Sequence, residues 1–233
     1  MSEQVIEHLK SIPIPEELNR ENISKLYVQG LLGEIGLSPT GIEDIREILE
    51  SKEFEVIVKE GKVSLALIKP DLEAAVPQRG TRHRSDAEIV EQIRHDIQSP
   101  LREIFSISLV LTDEMVEEWY VGKPKQQQVG IPPFDENRYG LHHNSRWDEY
   151  KSLMLRGPVT FLLLYSEDGK AVEHWRQQMG NHWNIEKAKE MFPNSLRAKY
   201  AKDNHNNLLH GSDSPESAIR EIRLLSLYLG QLI

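Results

Sequence analysis

The chain has 233 residues, 28 of them Lys or Arg and 37 Asp or Glu, for a formal net charge of -9. Hydrophobic residues make up 39% and charged residues 28%, ordinary globular usage that excludes disordered, collagenous and membrane-embedded classes. The acidic balance argues against nucleic acid as a partner, and the absence of cysteine removes disulfides, thiolate nucleophiles and Cys-ligated metal sites. Neither a basic nor an apolar signal region opens the chain, and the apolar run Phe161–Tyr165 is too short for a bilayer. A soluble cytoplasmic protein with no membrane partner is expected.

Residues 1–60 carry 13 acidic and 6 basic residues, a net of -7, against -2 for the remainder. Helical patterns fall at 2–10, 15–29 and 41–51, the last with Ile42, Ile45, Ile48 and Leu49 at helical spacing. This reads as a helical N-terminal extension. From Lys62 the pattern changes: Val63, Leu65 and Leu67 alternate with Ser64, Ala66 and Ile68 as a buried strand would, up to Lys69-Pro70. A second strand is expected near 104–111, with Phe105, Ile107, Leu109 and Leu111 on one face, and a third at 158–165. Helices are expected at 86–97, 113–120, 147–155, 169–179 and about 214–228, with the apolar step Leu208-Leu209 before the last. The alternation predicts an α+β domain over 61–233, a ferredoxin-like split βαβ sandwich with a four-stranded antiparallel sheet. Strand order stays open. Segments 72–85 and 121–146 read as insertions.

The most informative stretch is Asn207-Leu-Leu-His-Gly-Ser-Asp-Ser-Pro215 and the helix behind it. Ser214 supplies a hydroxyl N-cap and Pro215 occupies the first helical position, where its missing N–H costs nothing. Ala218, Ile222, Leu225 and Leu229 form the apolar stripe, and Glu221, on a neighbouring face, can point back at the loop holding His210. A histidine oriented by a carboxylate has its tautomer fixed and its nucleophilicity raised; a capped loop with an ordinary satisfied histidine is the bland alternative. Lys69 stands at a strand end. Arg176 falls inside the stripe Val172, Trp175, Met179, and Arg197 lies in Ser195-Leu-Arg-Ala-Lys-Tyr200. The histidines 142, 143, 182, 205 and 210 do not make a metal-ligand spacing.

Over residues 63–226 these elements resemble the nucleoside diphosphate kinase family, in the family's order. Leu67-Ile-Lys-Pro-Asp71 is similar to its opening strand and lysine, and Gly157-Pro-Val159 to its central strand. Trp175-Arg176 through Gly180 and Ser195-Leu-Arg197 resemble its arginine motifs, and Asn207 through Glu221 its active-site signature. The resemblance implies transfer of the γ-phosphoryl group of a nucleoside triphosphate to a diphosphate through phospho-His210, at Nδ1, with Mg2+ entering on the nucleotide. It implies that Glu221 orients His210, directly or through Ser212, and that Lys69, Arg176 and Arg197 bind the phosphates. Asn207 would hold the sugar, Tyr120 would be the tyrosine near the histidine, and Trp147 would stack on the base. Assembly into homo-oligomers is also implied.

Asn181-His182 stands where the family has a phosphate-binding threonine, segment 181–194 reads as a longer loop, and the insertions flank the expected cleft. The alternative is therefore a nucleotide-binding or regulatory module of the same fold with little turnover.

Overall fold

The computed structural model describes residues 6–7, 39–70, 86–120, 147–180, 184–204 and 207–231. His182, the whole of the insertions 72–85 and 121–146, and the helices expected at 2–10 and 15–29 apart from residues 6–7 lie outside them. In chain order the elements are α1 (Pro39–Glu50), α2 (Lys52–Lys59), β1 (Val63–Ile68), α3 (Asp86–His95), β2 (Arg102–Val110), α4 (Asp113–Tyr120) and α5 (Trp147–Met154). There follow β3 (Pro158–Tyr165), α6 (Ala171–Met179), α7 (Ile185–Met191), α8 (Leu196–Tyr200), β4 (Leu209–Gly211) and α9 (Pro215–Gly230).

The four strands form one sheet in the order β2-β3-β1-β4, with every neighbouring pair antiparallel. This is the ferredoxin-like α+β arrangement: β3 splits the β1-α3-β2 unit, and β1 separates β3 from β4. Periodicity along each strand assigns its two faces. Leu65 and Leu67 of β1, with Phe105, Ile107, Phe161 and Leu163, enter one core shared with α1, α2, α4 and α9. Ala66, Ile68, Leu162 and Leu164 enter the opposite core, with Trp175 and Met179 of α6. With helices on both faces, β1 is buried throughout and β3 from Val159 onward, which is why both read as continuous apolar runs. Ile104 is the extra residue of a bulge between Glu103 and Phe105, so it and Phe105 are both buried.

The α9 start is as its sequence implies: Ser214 Oγ accepts from the Ser217 amide at 3.2 Å, with Pro215 behind it. Ala218, Ile222, Leu225 and Leu229 are all buried. The helix expected from 169 starts at Ala171, because Gly169 (φ +75°) turns the chain within van der Waals range of Gly61. Segment 181–194 is not simply a loop: Asn184 caps α7 by accepting from the Lys187 amide at 3.0 Å. Among the described residues no helix is long and apolar enough to cross a membrane.

The pattern at 41–51 corresponds to α1, and α2 is a further helix, capped by Ser51 accepting from the Phe54 amide at 3.1 Å. Both pack on α9. Ile42, Ile45, Leu49, Phe54, Ile57 and Val58 are buried in the same core as the sheet, and Arg46 Nε donates to the Ser226 carbonyl at 3.2 Å. Residues 39–59 should therefore unfold with the sheet. Ile45→Ala is expected to lower stability by about 2–4 kcal/mol in a single urea transition followed at once by circular dichroism and tryptophan fluorescence; an early separate transition would contradict the shared core.

Candidate functional site

The site is built on β4, at one edge of the sheet. β4 is three residues long and, among the described residues, pairs only with β1, setting His210 opposite Leu67. His210 is thus a strand residue rather than a loop residue, and strand alternation sends its side chain to the Leu67 face, where α4 and α9 lie. Gly211 takes the opposite face. A Cβ there would come within 2.2 Å of Trp175 Cδ1, so only glycine lets the indole lie against the strand, where its Nε1 donates to the His210 carbonyl at 3.0 Å. Just ahead of the strand, the Leu209 amide donates to the Asn207 carbonyl at 2.7 Å around Leu208 at φ 60°. That is a γ-turn of the rare positive-φ kind, held by burial of Leu208 and by the Lys69 amide donating to its carbonyl at 2.7 Å.

Glu221, two turns into α9, faces the histidine. Its Oε1 lies 2.9 Å from His210 Nε2, and its Oε2 accepts from Ser212 Oγ at 2.6 Å. Ser212 is fully buried and its hydroxyl accepts in turn from the Leu65 amide at 3.3 Å. The carboxylate is buried, the imidazole 22% exposed. An Nε2–H donated to Glu221 leaves Nδ1 as the nitrogen with a lone pair.

Cations from distant parts of the chain attach to the residues that flank His210. Lys69, buried at the end of β1, donates from Nζ to Asn207 Oδ1 at 2.7 Å and lies 4.9 Å from the centroid of the Tyr150 ring. Arg197, from α8, donates to the Leu209 carbonyl at 2.7 Å and the Gly180 carbonyl at 3.2 Å. Burial, helped by neighbouring Arg176, pushes its guanidinium down to about 10, so it remains charged at neutral pH. Arg176, from α6, forms an ion pair with Asp213. Both groups are 26% exposed, as a pair at the mouth of a site would be.

Aromatic rings close the remaining side. Tyr120 ends α4 with its ring edge-on to His210, centroids 6.1 Å apart, and Trp119 approaches the imidazole at 6.2 Å. Tyr150 Oη donates to Tyr120 Oη at 2.8 Å. Burial raises Tyr120 well above the usual phenol range and Tyr150 to about 12, so both stay neutral. Trp147 opens α5, its ring nearly parallel to Tyr150 at 6.4 Å and edge-on to Tyr120 at 6.3 Å. The structure therefore gathers His210, Glu221, Ser212, Lys69, Asn207, Arg176, Arg197, Tyr120 and Trp147 around one strand end. Sequence reasoning missed Tyr150, visible only as an aromatic three positions after Trp147, and Asp213 as the partner of Arg176. It missed the Leu208 turn altogether, for a leucine carries no signal of a positive φ.

The family model described as nucleoside diphosphate kinase matches residues 134–226. The nucleoside diphosphate kinase of Aquifex aeolicus (strain VF5) is 40% identical over 113 residues, which cover 48% of this chain and 78% of that protein. This chain belongs to the nucleoside diphosphate kinase family. A longer relative, the Xenopus laevis protein named Thioredoxin domain-containing protein 6, is 32% identical over 166 residues, 70% of this chain but 21% of its own length. The chain thus spans about a fifth of that relative. The solved Aquifex aeolicus nucleoside diphosphate kinase aligns with 25% identity and a TM-score of 0.49, covering 74% of this chain and 98% of that one.

The Gly211–Trp175 contact gives a direct test of how His210 is seated. Gly211→Ala should cost about 1–3 kcal/mol through overpacking, read by urea unfolding, and should displace the His210 imidazole resonances in NMR spectra. Unchanged stability and shifts would show the contact to be slack.

Proposed function

We propose that this chain is a nucleoside diphosphate kinase that carries the γ-phosphoryl group of a nucleoside triphosphate to a nucleoside diphosphate through phospho-His210. The observation that carries this reading is the His210–Glu221 contact at 2.9 Å on β4, beside which Arg197 holds the Leu209 carbonyl, Arg176 pairs with Asp213 and Lys69 holds Asn207. In the first half-reaction the Nδ1 lone pair attacks the γ-phosphorus, and the bond to the β,γ-bridging oxygen breaks with its electron pair leaving on the diphosphate. The proton stays on Nε2 and is donated to Glu221, whose carboxylate balances the positive charge the ring gains. A second diphosphate reverses the step from the phosphohistidine, so one site serves donor and acceptor in turn.

Such a transfer asks the protein for position and for charge spread over the phosphate oxygens. Lys69, Arg176 and Arg197 are the groups we assign to that work. Asn207 would hold the sugar, while Tyr120 lines the approach to His210 and Trp147 meets the base; His182 is assigned a phosphate contact from its sequence position alone. Ser212 keeps Glu221 aimed. Magnesium fits on the nucleotide rather than in a protein cage. The nearby carboxylates, Glu221 and Asp213, are engaged by His210, Ser212 and Arg176, and a hard cation prefers phosphate oxygens and water. Bound there, it would neutralise charge across the phosphates. A cytoplasmic homo-oligomer without nucleic-acid or membrane partners completes the proposal. The length of the Xenopus relative favours one other reading, a nucleotide-binding module within a larger architecture.

Incubation with γ-labelled ATP and magnesium should give an acid-labile, alkali-stable phosphoprotein that passes its label to any added nucleoside diphosphate. His210→Ala and chelation of magnesium should each abolish labelling. Glu221→Gln should slow it by about 10- to 100-fold with little change in nucleotide affinity. Nucleotide binding without labelling in the unaltered protein would replace the kinase reading by the module reading.

A further inference from the structure

One aromatic residue at the site has been given no role so far. Tyr150 lies on α5, one turn after Trp147, and makes two separate contacts with its two chemical parts. Its ring face lies under the Lys69 ammonium, 4.9 Å from nitrogen to centroid. Its hydroxyl donates to Tyr120 Oη at 2.8 Å, the rings meeting edge to face with centroids 4.9 Å apart. Lys69 and Tyr120 come from the end of β1 and the end of α4, with no direct contact of their own needed to place them. We infer that Tyr150 is a positioning residue of the phosphoryl-transfer site, its ring seating the Lys69 ammonium and its hydroxyl fixing the Tyr120 phenol beside His210.

The physical argument is one of alternatives. A lysine stem has many rotamers, and a strand-end ammonium ordinarily swings into water. Here the nitrogen is drawn to the negative face of a ring while Asn207 Oδ1 takes one of its protons, so two partners at different angles define its place. Tyr120, buried beside the imidazole, would otherwise bring an unsatisfied hydroxyl into an apolar wall; the Tyr150 donor removes that cost and fixes the phenol's rotation. Trp147 lies nearly parallel to the Tyr150 ring at 6.4 Å, which limits its motion along α5. The sequence places Tyr150 next to Lys151, whose Nζ binds Glu117 at 2.7 Å and Asp113 at 2.6 Å. That clamp ties α5 to α4 and holds the distance across which Tyr150 reaches Tyr120.

The inference rests on the kinase reading for its activity readout, and its structural half can be read without activity. In the full-length protein, Tyr150→Phe keeps the ring and removes the hydroxyl, whereas Tyr150→Leu removes both. Tyr150→Phe should leave the dissociation constant for MgADP within about twofold and slow His210 labelling by about five- to tenfold, the size of one lost hydrogen bond. Tyr150→Leu should slow labelling at least as much and also weaken MgADP by about five- to tenfold as Lys69 loses its seat. The Lys69 ε-methylene protons should resonate upfield of other lysines in the unaltered protein and in Tyr150→Phe, and at the ordinary position in Tyr150→Leu. Thermal melting identifies a variant that fails to fold, in which case the Lys69 shift of the unaltered protein and the Tyr150→Phe labelling rate decide. Ordinary Lys69 shifts in the unaltered protein, or folded variants that label and bind as it does, overturn the inference. An unaltered protein that shows the Lys69 shift but takes no label overturns the kinase reading and confines Tyr150 to placing Lys69 and Tyr120.

Discussion

Glu221 has both carboxylate oxygens engaged in a place where water hardly reaches, one on His210 and the other on Ser212. A buried carboxylate must be compensated by hydrogen bonds or it destabilises the fold. The compensation here runs through the sheet: the Leu65 amide of β1 donates to Ser212, Ser212 donates to Glu221, and Glu221 faces the imidazole. The orientation of the histidine is therefore a property of the register between β1 and β4 and of how α9 lies across them. A one-residue slip of β4 would send His210 to the Trp175 side of the sheet and leave Glu221 without partners.

That dependence explains how much of the molecule is spent on holding α9. Its apolar stripe is buried against the sheet. On its outer side, Arg223 pairs with Glu55 at 3.1 Å and Ser226 Oγ donates to Glu50 at 2.6 Å, joining it to α2 and α1. Arg220, buried, donates to the carbonyls of Glu118 and Trp119 at 2.9 Å, tying the helix that carries Glu221 to the end of the helix that carries Tyr120. The acidic N-terminal segment, chemically plain in itself, thus braces the helix on which the candidate site turns.

Much of this was legible beforehand. β1 and β3 show themselves as apolar runs and α9 shows its start as Ser214-Pro215, because strand alternation and helix capping are local effects written within a few residues. The candidate residues were legible too, since His210, Glu221, Lys69, Arg176 and Arg197 fall in motifs with a family's spacing. Strand order was not. β4 has three residues and little pattern of its own; it is a strand only because β1 offers an unpaired edge. The same short range of local signals made His210 look like a loop residue and gave no sign, in the lengthened segment 181–194, of the helix that Asn184 caps.

The order of residues alone determined which groups exist to do chemistry: an imidazole, a carboxylate one helix away, several cations and no thiol. It also determined where helices and long strands begin, for those follow from nearest neighbours along the chain. The tertiary structure alone decided that Nε2 rather than Nδ1 faces Glu221, that Asp213 meets Arg176, and that Tyr150 joins Lys69 to Tyr120. These are contacts between side chains brought together by sheet register and helix packing, and no local preference encodes an angle between two elements that meet only after the core has closed.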